Sequence, residues 1–253
     1  MELWSYEHLR TLLPTALIML TVSIILGQLL KSKNESIRMI PFQICSIVLF
    51  GLEIGKQAVS IAGGYDLYHL PFHYCSLLIF TPLIMSFYRG KHKDAVYSVV
   101  TSICSAVSLL TLIYPCLIYS ADNIRNYFVT YMDFHTVTFH SIAVMLPMLI
   151  LSLRLNAQTP KGTNKHITIV MVVYGVIAAA MAHLLKTNFA NMYQCNIPPL
   201  ETVRQMVQSA LGYTVAQILY VTIVAVLQVL FTIGAYYLFR LIRYCISSRK
   251  CPA

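Results

Sequence analysis

Charge is what this sequence has least of. Only 11% of its 253 residues are charged, and 9 acidic side chains stand against 18 lysines and arginines. A soluble domain is typically about a quarter charged and less than half apolar. Here 58% of the residues are hydrophobic and mean hydropathy is +0.69. That balance argues against a soluble enzyme and against a disordered chain. The basic excess is no nucleic-acid footprint either, because it falls in short runs between long apolar blocks. Other signals are missing too. There is no His-Glu-x-x-His pair for a zincin site, and no phosphate-binding loop. The last apolar block has no lysine to hold retinal and no Asn-Pro-x-x-Tyr, which sets aside two well-known seven-helix classes. No internal repeat or low-complexity tract is visible. Glu2 and Glu7 stand where a signal peptide would be basic, and no small-residue cleavage site follows, so the first apolar block is expected to be retained.

What remains is a membrane path. A helix crossing about 30 Å of hydrocarbon needs roughly 20 mostly apolar residues. Seven stretches qualify: Leu12–Leu30, Met39–Ala62, Leu70–Phe87, Ala95–Tyr119, His135–Leu153, Ile167–Leu185 and Tyr213–Leu238. Thr202–Leu211 reads as a short amphipathic helix at the interface. Lysine and arginine in short loops mark the cytoplasmic side. The first, third and fifth connections carry Lys31, Lys33, Arg38; Arg89, Lys91, Lys93; and Arg154, Lys161, Lys165. The tail carries Arg240, Arg243, Arg249 and Lys250, whereas the even connections hold only Arg125, Lys186 and Arg204. The expectation is an all-α, seven-helix transmembrane bundle forming one domain over residues 1–253, N-terminus outside and C-terminus cytoplasmic. It would lie in the cytoplasmic membrane of a bacterium, or in an endomembrane or plasma membrane otherwise. Of seven cysteines, an odd number, most lie in spans, so no disulfide framework is indicated.

Polar groups at membrane depth are costly and mark paths or sites. Glu53 and Lys56 lie three apart in the second span and share a face with Gln57 and Ser60. They form either a self-neutralising ion pair locking two helices, or a carboxylate that orients a histidine beside a lysine that meets an anionic head group. The third span opens Leu70-Pro71-Phe72-His73-Tyr74-Cys75. Pro71 suits a first helical turn, where the dipole would favour a Cys75 thiolate; the alternative is a small packed hydrophobe. His135 and His140 open the fifth span, with Thr136 sharing the face of His140. His183, Asn188 and Tyr193 follow in and after the sixth, and Gln217 opens the seventh. On the expected topology all of these fall toward the outer half of the bilayer. They would line a polar cavity within reach of a lipid head group or an external solute. No spacing supports a metal cluster, and no cofactor is expected.

The Leu70-Pro71-Phe72-His73-Tyr74-Cys75 run resembles the Leu-Pro-x-His-x-Cys element of the YwaF-type integral membrane proteins. Glu53-x-x-Lys56 precedes it. Ser105 through Leu110 then leads to Pro115, followed by His140 and by Thr187-Asn188-Phe189 with Met192-Tyr193, in the same order as in that family. The resemblance covers about residues 40 to 240. It implies a seven-helix fold shared with a vertebrate acyltransferase that builds polyunsaturated ether phospholipids and is taken to use a cysteine and a histidine. His140 matches the family's span-five histidine, and Cys75 is the counterpart of the nucleophile. Ser76 stands where many bacterial members carry an acidic residue.

Two functions follow as expectations. In a lipid acyltransferase or lipid ester hydrolase, His140 would deprotonate Cys75 for attack on an ester carbonyl. Glu53 would orient the histidine, His73 or Asn188 would donate to the oxyanion, and Lys56 would meet the phosphate, with His135 and His183 completing the polar lining. The partner would be a phospholipid or lysophospholipid. The alternative is a small-solute binding or transport protein using the same residues as ligands, although no inverted repeat or pair of broken helices supports it.

Overall fold

The computed structural model describes residues 6–155 and 160–248. Glu2, Arg249, Lys250 and Cys251 lie outside them. Among the described residues the protein is all-helical. The helices are α1 (Tyr6–Leu29), α2 (Glu35–Ala62), α3 (Leu77–Phe87), α4 (Lys93–Ile113), α5 (Ala121–Arg125), α6 (Tyr131–Ser152), α7 (Thr163–Leu184), α8 (Pro198–Leu211) and α9 (Tyr213–Ser248). Six of them, α1, α2, α4, α6, α7 and α9, are long and apolar enough to cross a membrane.

The third expected span is different. Leu70–His73 is not helical, Tyr74–Ser76 forms a tight 3-10 turn, and α3 itself has only 11 residues. At 1.5 Å per residue it is roughly 16 Å long, about half the hydrocarbon thickness. Pro71 therefore does not sit in a first helical turn. His73 precedes the turn in extended conformation, and Cys75 lies within it. The boundaries move elsewhere as well. The fourth stretch breaks at Tyr114-Pro115, short of Tyr119, since the residue before a proline avoids helical geometry. The fifth begins at Tyr131, where the Thr130 hydroxyl accepts from Asp133 N–H and caps the helix. The amphipathic helix starts at Pro198-Pro199, residues suited to a first turn.

With the Leu70–Phe87 segment counted as a pass, successive elements run in alternating directions, so α2 and α4 start at the same end, and contacts between element ends show it. Lys93 Nζ lies 2.6 Å from Glu35 Oε1, joining the starts of α4 and α2. Arg38 Nη1 donates to Leu153 O at 2.9 Å, at the end of α6. This first end of the bundle also carries Lys31, Lys33, Arg89 and Arg154, and Asn164 of α7 bonds Tyr237 of α9 there. The second end gathers the close of α2, the opening of α6 and the connections around residues 63–76 and 185–212.

At the centre stands α4, packed against α3, α6, α7 and α9. Tyr97 through Ser108 is buried without a break. Its serines and threonines let neighbouring backbones approach, and several return their hydroxyls to their own helix, as Ser102 does to Val99 O and Thr111 to Val107 O. The outward faces of α1, α7 and α9 expose Leu13, Leu17, Val173, Val176, Leu227 and Leu230. A continuous apolar surface of that extent belongs against lipid. The protein is an integral, multi-pass membrane protein.

Candidate functional site

The last turns of α2 begin the site. Glu53, buried to 6% exposure, accepts at Oε1 from Lys56 Nζ at 2.8 Å and from Gln57 Nε2 at 2.6 Å. Gln57 also donates to His69 O at 2.8 Å and accepts from the Tyr65 hydroxyl, while Ser60 Oγ and His69 Nδ1 meet at 2.7 Å. One carboxylate thus organises both a lysine and the turn that leads into Leu70-Pro71. From α6, His135 brings Nε2 to 3.4 Å from Glu53 Oε2, with its ring stacked on Phe139. That separation is long for a hydrogen bond, and the buried nitrogen has no better partner among the described residues.

The close approach of α6 to α2 depends on Gly55. The Tyr131 hydroxyl donates to Leu52 O at 3.0 Å and lies over Gly55, where an added Cβ would collide with it. Gly55→Ala should therefore lower stability by about 1–3 kcal/mol, the usual toll of forcing a packed side chain aside. Gly51→Ala, on the same helix with open space around it, should be neutral or slightly favourable. Thermal unfolding in detergent compares them, and equal melting of both variants would remove the Tyr131 contact from the argument.

His140 sits on the neighbouring face of α6. Its Nδ1 lies 2.8 Å from Thr136 O. A carbonyl only accepts, so Nδ1 carries the proton and Nε2 presents a lone pair. That Nε2 is buried and has no hydrogen-bond partner among the described residues. Cys75 Sγ is thus not bonded to it. Lys56, His135 and His73 all stand within electrostatic range of His140. Cys75, a free and half-buried thiol, stands within range of Lys56 and Glu53. His73 donates Nε2–H to Tyr68 O at 2.9 Å and packs its ring on Tyr68 and Phe189. The segment is pinned from behind by Tyr174 donating to Phe72 O at 3.0 Å and by Tyr74 meeting Thr232 at 2.7 Å. Glu53, Lys56, His135, His140, His73 and Cys75 therefore belong to one neighbourhood.

His183 and Asn188 do not join it. His183 donates Nδ1–H to Ala179 O at 2.8 Å, and its Nε2 accepts from Gln217 Nε2 at 3.0 Å. Arg204 Nη1 donates to Gln217 Oε1 at 3.0 Å and grips Glu201 through Nε at 2.7 Å and Nη2 at 2.6 Å. Asn188 accepts from the N–H groups of Tyr193 and Gln194 and donates to Asn196 Oδ1. This second cluster fastens α7, α8, α9 and the 188–196 loop together. Phe189 links it to the first, touching the rings of Phe72 and His73. The Arg204 hydrogen bonds hold the Glu201 carboxyl down to about 2 from its ordinary 4.5. A lowered folded value stabilises above the unfolded one and fades as pH falls toward the folded one. Wild type should lose thermal stability relative to Glu201→Gln between about pH 4.5 and 2, and parallel melting curves over that range would refute the pairing.

Several residues of these networks had no prior signal. Tyr131 acts through a partner 79 residues away, and His69, Tyr65 and Tyr119 act through contacts made across a turn or between helices, which no helical spacing announces. Tyr119 sets its ring edge against His140 at 5.9 Å. It also lines a narrow recess with Thr11, Thr15 and Ser141. The recess adjoins a cleft of about 830 Å³ between α1, α5 and α6, lined on α6 by Val137, Thr138, Ser141 and Ile142. The expected polar cavity is thus not what the structure shows there: the cleft lies across α6 from the ionisable cluster, which is packed against neighbouring side chains. The reason is that Gln57, Tyr65, Tyr131 and Phe139 occupy the space around Glu53 and His135. Among the described residues no three His, Cys, Asp or Glu side chains converge to hold a metal ion.

Fold and site together define a multi-pass membrane protein with a buried ionisable cluster at one end of its bundle. The chain belongs to the TMEM164 family, whose profile matches residues 3–239. No curated protein and no solved structure matches it.

Proposed function

We propose that the protein is a membrane-embedded acyl-transfer enzyme, a lipid acyltransferase or lipid ester hydrolase, acting on a phospholipid or lysophospholipid. The observation that carries this reading is His140: a fixed tautomer offering a buried Nε2 that has no hydrogen-bond partner among the described residues, within electrostatic range of His135, Lys56 and His73. A buried acceptor left without a partner is unfavourable by about 1–3 kcal/mol, which is tolerable where a substrate or nucleophile supplies the missing proton. In the reaction, Nε2 takes the proton of the Cys75 thiol and the thiolate attacks the ester carbonyl. The tetrahedral oxyanion collapses to a thioester, His140 returns the proton to the departing alcohol, and a second hydroxyl or water releases the acyl group by the reverse steps. Catalytic hydrogen bonds that are open in a free enzyme close in the substrate complex, so the unmade Cys75–His140 contact is compatible with this sequence. Asn188 is committed to its own loop, and His73 would serve the oxyanion by turning its Nε2–H from Tyr68 O toward the substrate. Within this reading α3 and the Leu70–Ser76 segment make the seventh crossing, with the basic end cytoplasmic and the site toward the outer face, in keeping with the loop charges.

The test is an alkyne-tagged acyl probe reactive toward serine and cysteine nucleophiles, applied to purified protein in lipid. Labelling should be lost in both Cys75→Ala and His140→Ala while His183→Ala labels as wild type. Equal labelling of all four proteins would exclude the covalent pair. Loss in His140→Ala alone would move the nucleophile's role from Cys75 to another serine or cysteine side chain that His140 activates.

A further inference from the structure

The cleft between α1, α5 and α6 is not explained by the ionisable cluster. Its volume, about 830 Å³, falls in the range of ligand sites, roughly 300–1,000 Å³. The two helices that flank it are pinched together at one end. Gly27 lies so close to Ser152 that an added Cβ would stand 2.7 Å from the Ser152 carbonyl oxygen. Toward the other end they part, and among the described residues α1 packs chiefly against α6, with a smaller contact to α5. The walls there change character with depth. Ile18, Met19 and Ile142 line the deeper part. Thr11, Thr15, Thr138 and Ser141 add hydroxyls nearer the end, where Arg10 and Arg125 complete the lining. Arg10 is the second residue of the apolar stretch Leu9–Leu29, which places it at head-group level.

We infer that this cleft is a binding site for a single glycerophospholipid, its phosphate held by Arg10 and Arg125 and one acyl chain lying between α1 and α6. The outer side of α1 exposes Leu13, Leu17 and Ile18 to hydrocarbon, and Ile18 also lines the groove, so the molecule that can fill it laterally is a lipid. Two guanidiniums at the polar end select an anionic phosphodiester over a neutral glyceride. The hydroxyls lie at the level of the glycerol esters. Tyr119 stands between the cleft and His140, closing the inner recess with one edge and touching the histidine with the other. The inference rests on the acyl-transfer reading only for what happens beyond Tyr119; occupancy of the cleft requires no chemistry.

Photo-crosslinking tests it. The full chain is reconstituted in phosphatidylcholine vesicles doped with a diazirine phosphatidylcholine or, separately, a diacylglycerol bearing the same diazirine chain, and the adducts are mapped by peptide mass spectrometry. Phospholipid adducts should concentrate in residues 6–19 and 137–142. They should fall about tenfold, the equivalent of ~1.4 kcal/mol, in Thr15→Trp, which fills the groove. Ile18→Trp, whose side chain is 59% exposed, does the same with less risk to folding. Ile169→Trp on the lipid-facing side of α7 should change nothing. Combined Arg10→Glu and Arg125→Glu should lower phospholipid adducts and spare diacylglycerol adducts. Adducts spread evenly over α1, α7 and α9, or unaffected by both tryptophans, overturn the site. Insensitivity to the arginine changes overturns the phosphate assignment. Labelled clefts with full turnover in His140→Ala would sink the catalytic reading and leave the site standing; the converse result would do the opposite.

Discussion

Glu53→Leu should destabilise the protein by about 3–5 kcal/mol, the magnitude seen when one member of a buried charge pair is removed. The carboxylate is 6% exposed, and it is the group on which Lys56, Gln57 and His135 converge. Without it the Lys56 ammonium, whose side chain is 13% exposed, is left without a counter-charge. Gln57 also loses the acceptor that holds it against the carbonyl of His69. The effect should therefore spread beyond the pair, loosening the 65–69 turn and the Leu70–Ser76 segment behind it. Removing both charges in Glu53→Leu with Lys56→Met should recover most of the loss, because the main penalty is the orphaned charge and not the missing attraction. Glu53→Gln should fall between, keeping shape and hydrogen bonds while losing the ionic part. Thermal unfolding in detergent, paired with proteolysis at residues 64–76, reads all three. If Glu53→Leu melts within about 0.5 kcal/mol of wild type, the ordinary range of a surface substitution, the pair is solvated and organises nothing.

The ion pair and the helices it joins were legible in the sequence for the same reason: both are statements about local spacing. Residues three apart on a helix face each other, and twenty apolar residues suit a bilayer. Six of seven apolar stretches are membrane-length helices, and the paired Glu53 and Lys56 meet at 2.8 Å. What spacing cannot give is geometry where the chain leaves regular structure. Leu70–Phe87 has the composition of a span, but the structure uses its first third as an extended pinned segment, tied by Tyr174 to the Phe72 carbonyl and by Tyr74 to Thr232. Those partners lie 102 and 158 residues away. Likewise all the outer-end polar residues sort by depth into one group, whereas the structure divides them in two: His183 and Asn188 answer to Gln217, Asn196 and the 188–196 loop. Depth in a membrane is one coordinate; which side of α6 or α7 a residue faces is another, and only packing sets it. The cleft beside Tyr119 shows the same limit, since its wall alternates along α6 with the histidines of the cluster.

His140→Ala should reduce turnover by about 10²- to 10⁴-fold, the contribution of a general base in the transition state, and change stability far less than Glu53→Leu. The imbalance follows from the geometry. Only Nδ1 is engaged, with the Thr136 carbonyl of its own helix, so truncation frees one acceptor that water or the backbone can accommodate. Nε2 gives the fold nothing, since it has no hydrogen-bond partner among the described residues. The ring also packs edge-on against Tyr119 and Phe139, but a buried lone pair kept open has its use elsewhere. His183→Ala makes the contrast sharp. Both ring nitrogens of His183 are satisfied, by Ala179 O and by Gln217, so its loss should lower stability by about 1–3 kcal/mol through one stranded Gln217 N–H and leave turnover near wild type. Turnover is followed as acyl transfer from a fluorescent phospholipid to a lysophospholipid or to water in proteoliposomes, with kcat and KM separated. The expected change in His140→Ala is in kcat, because the base acts on the proton in flight and not on the bound lipid. Turnover preserved to within about threefold, well under the range for a lost general base, would show that His140 is a structural histidine. The pairing of low structural value with an open nitrogen would then need another substrate.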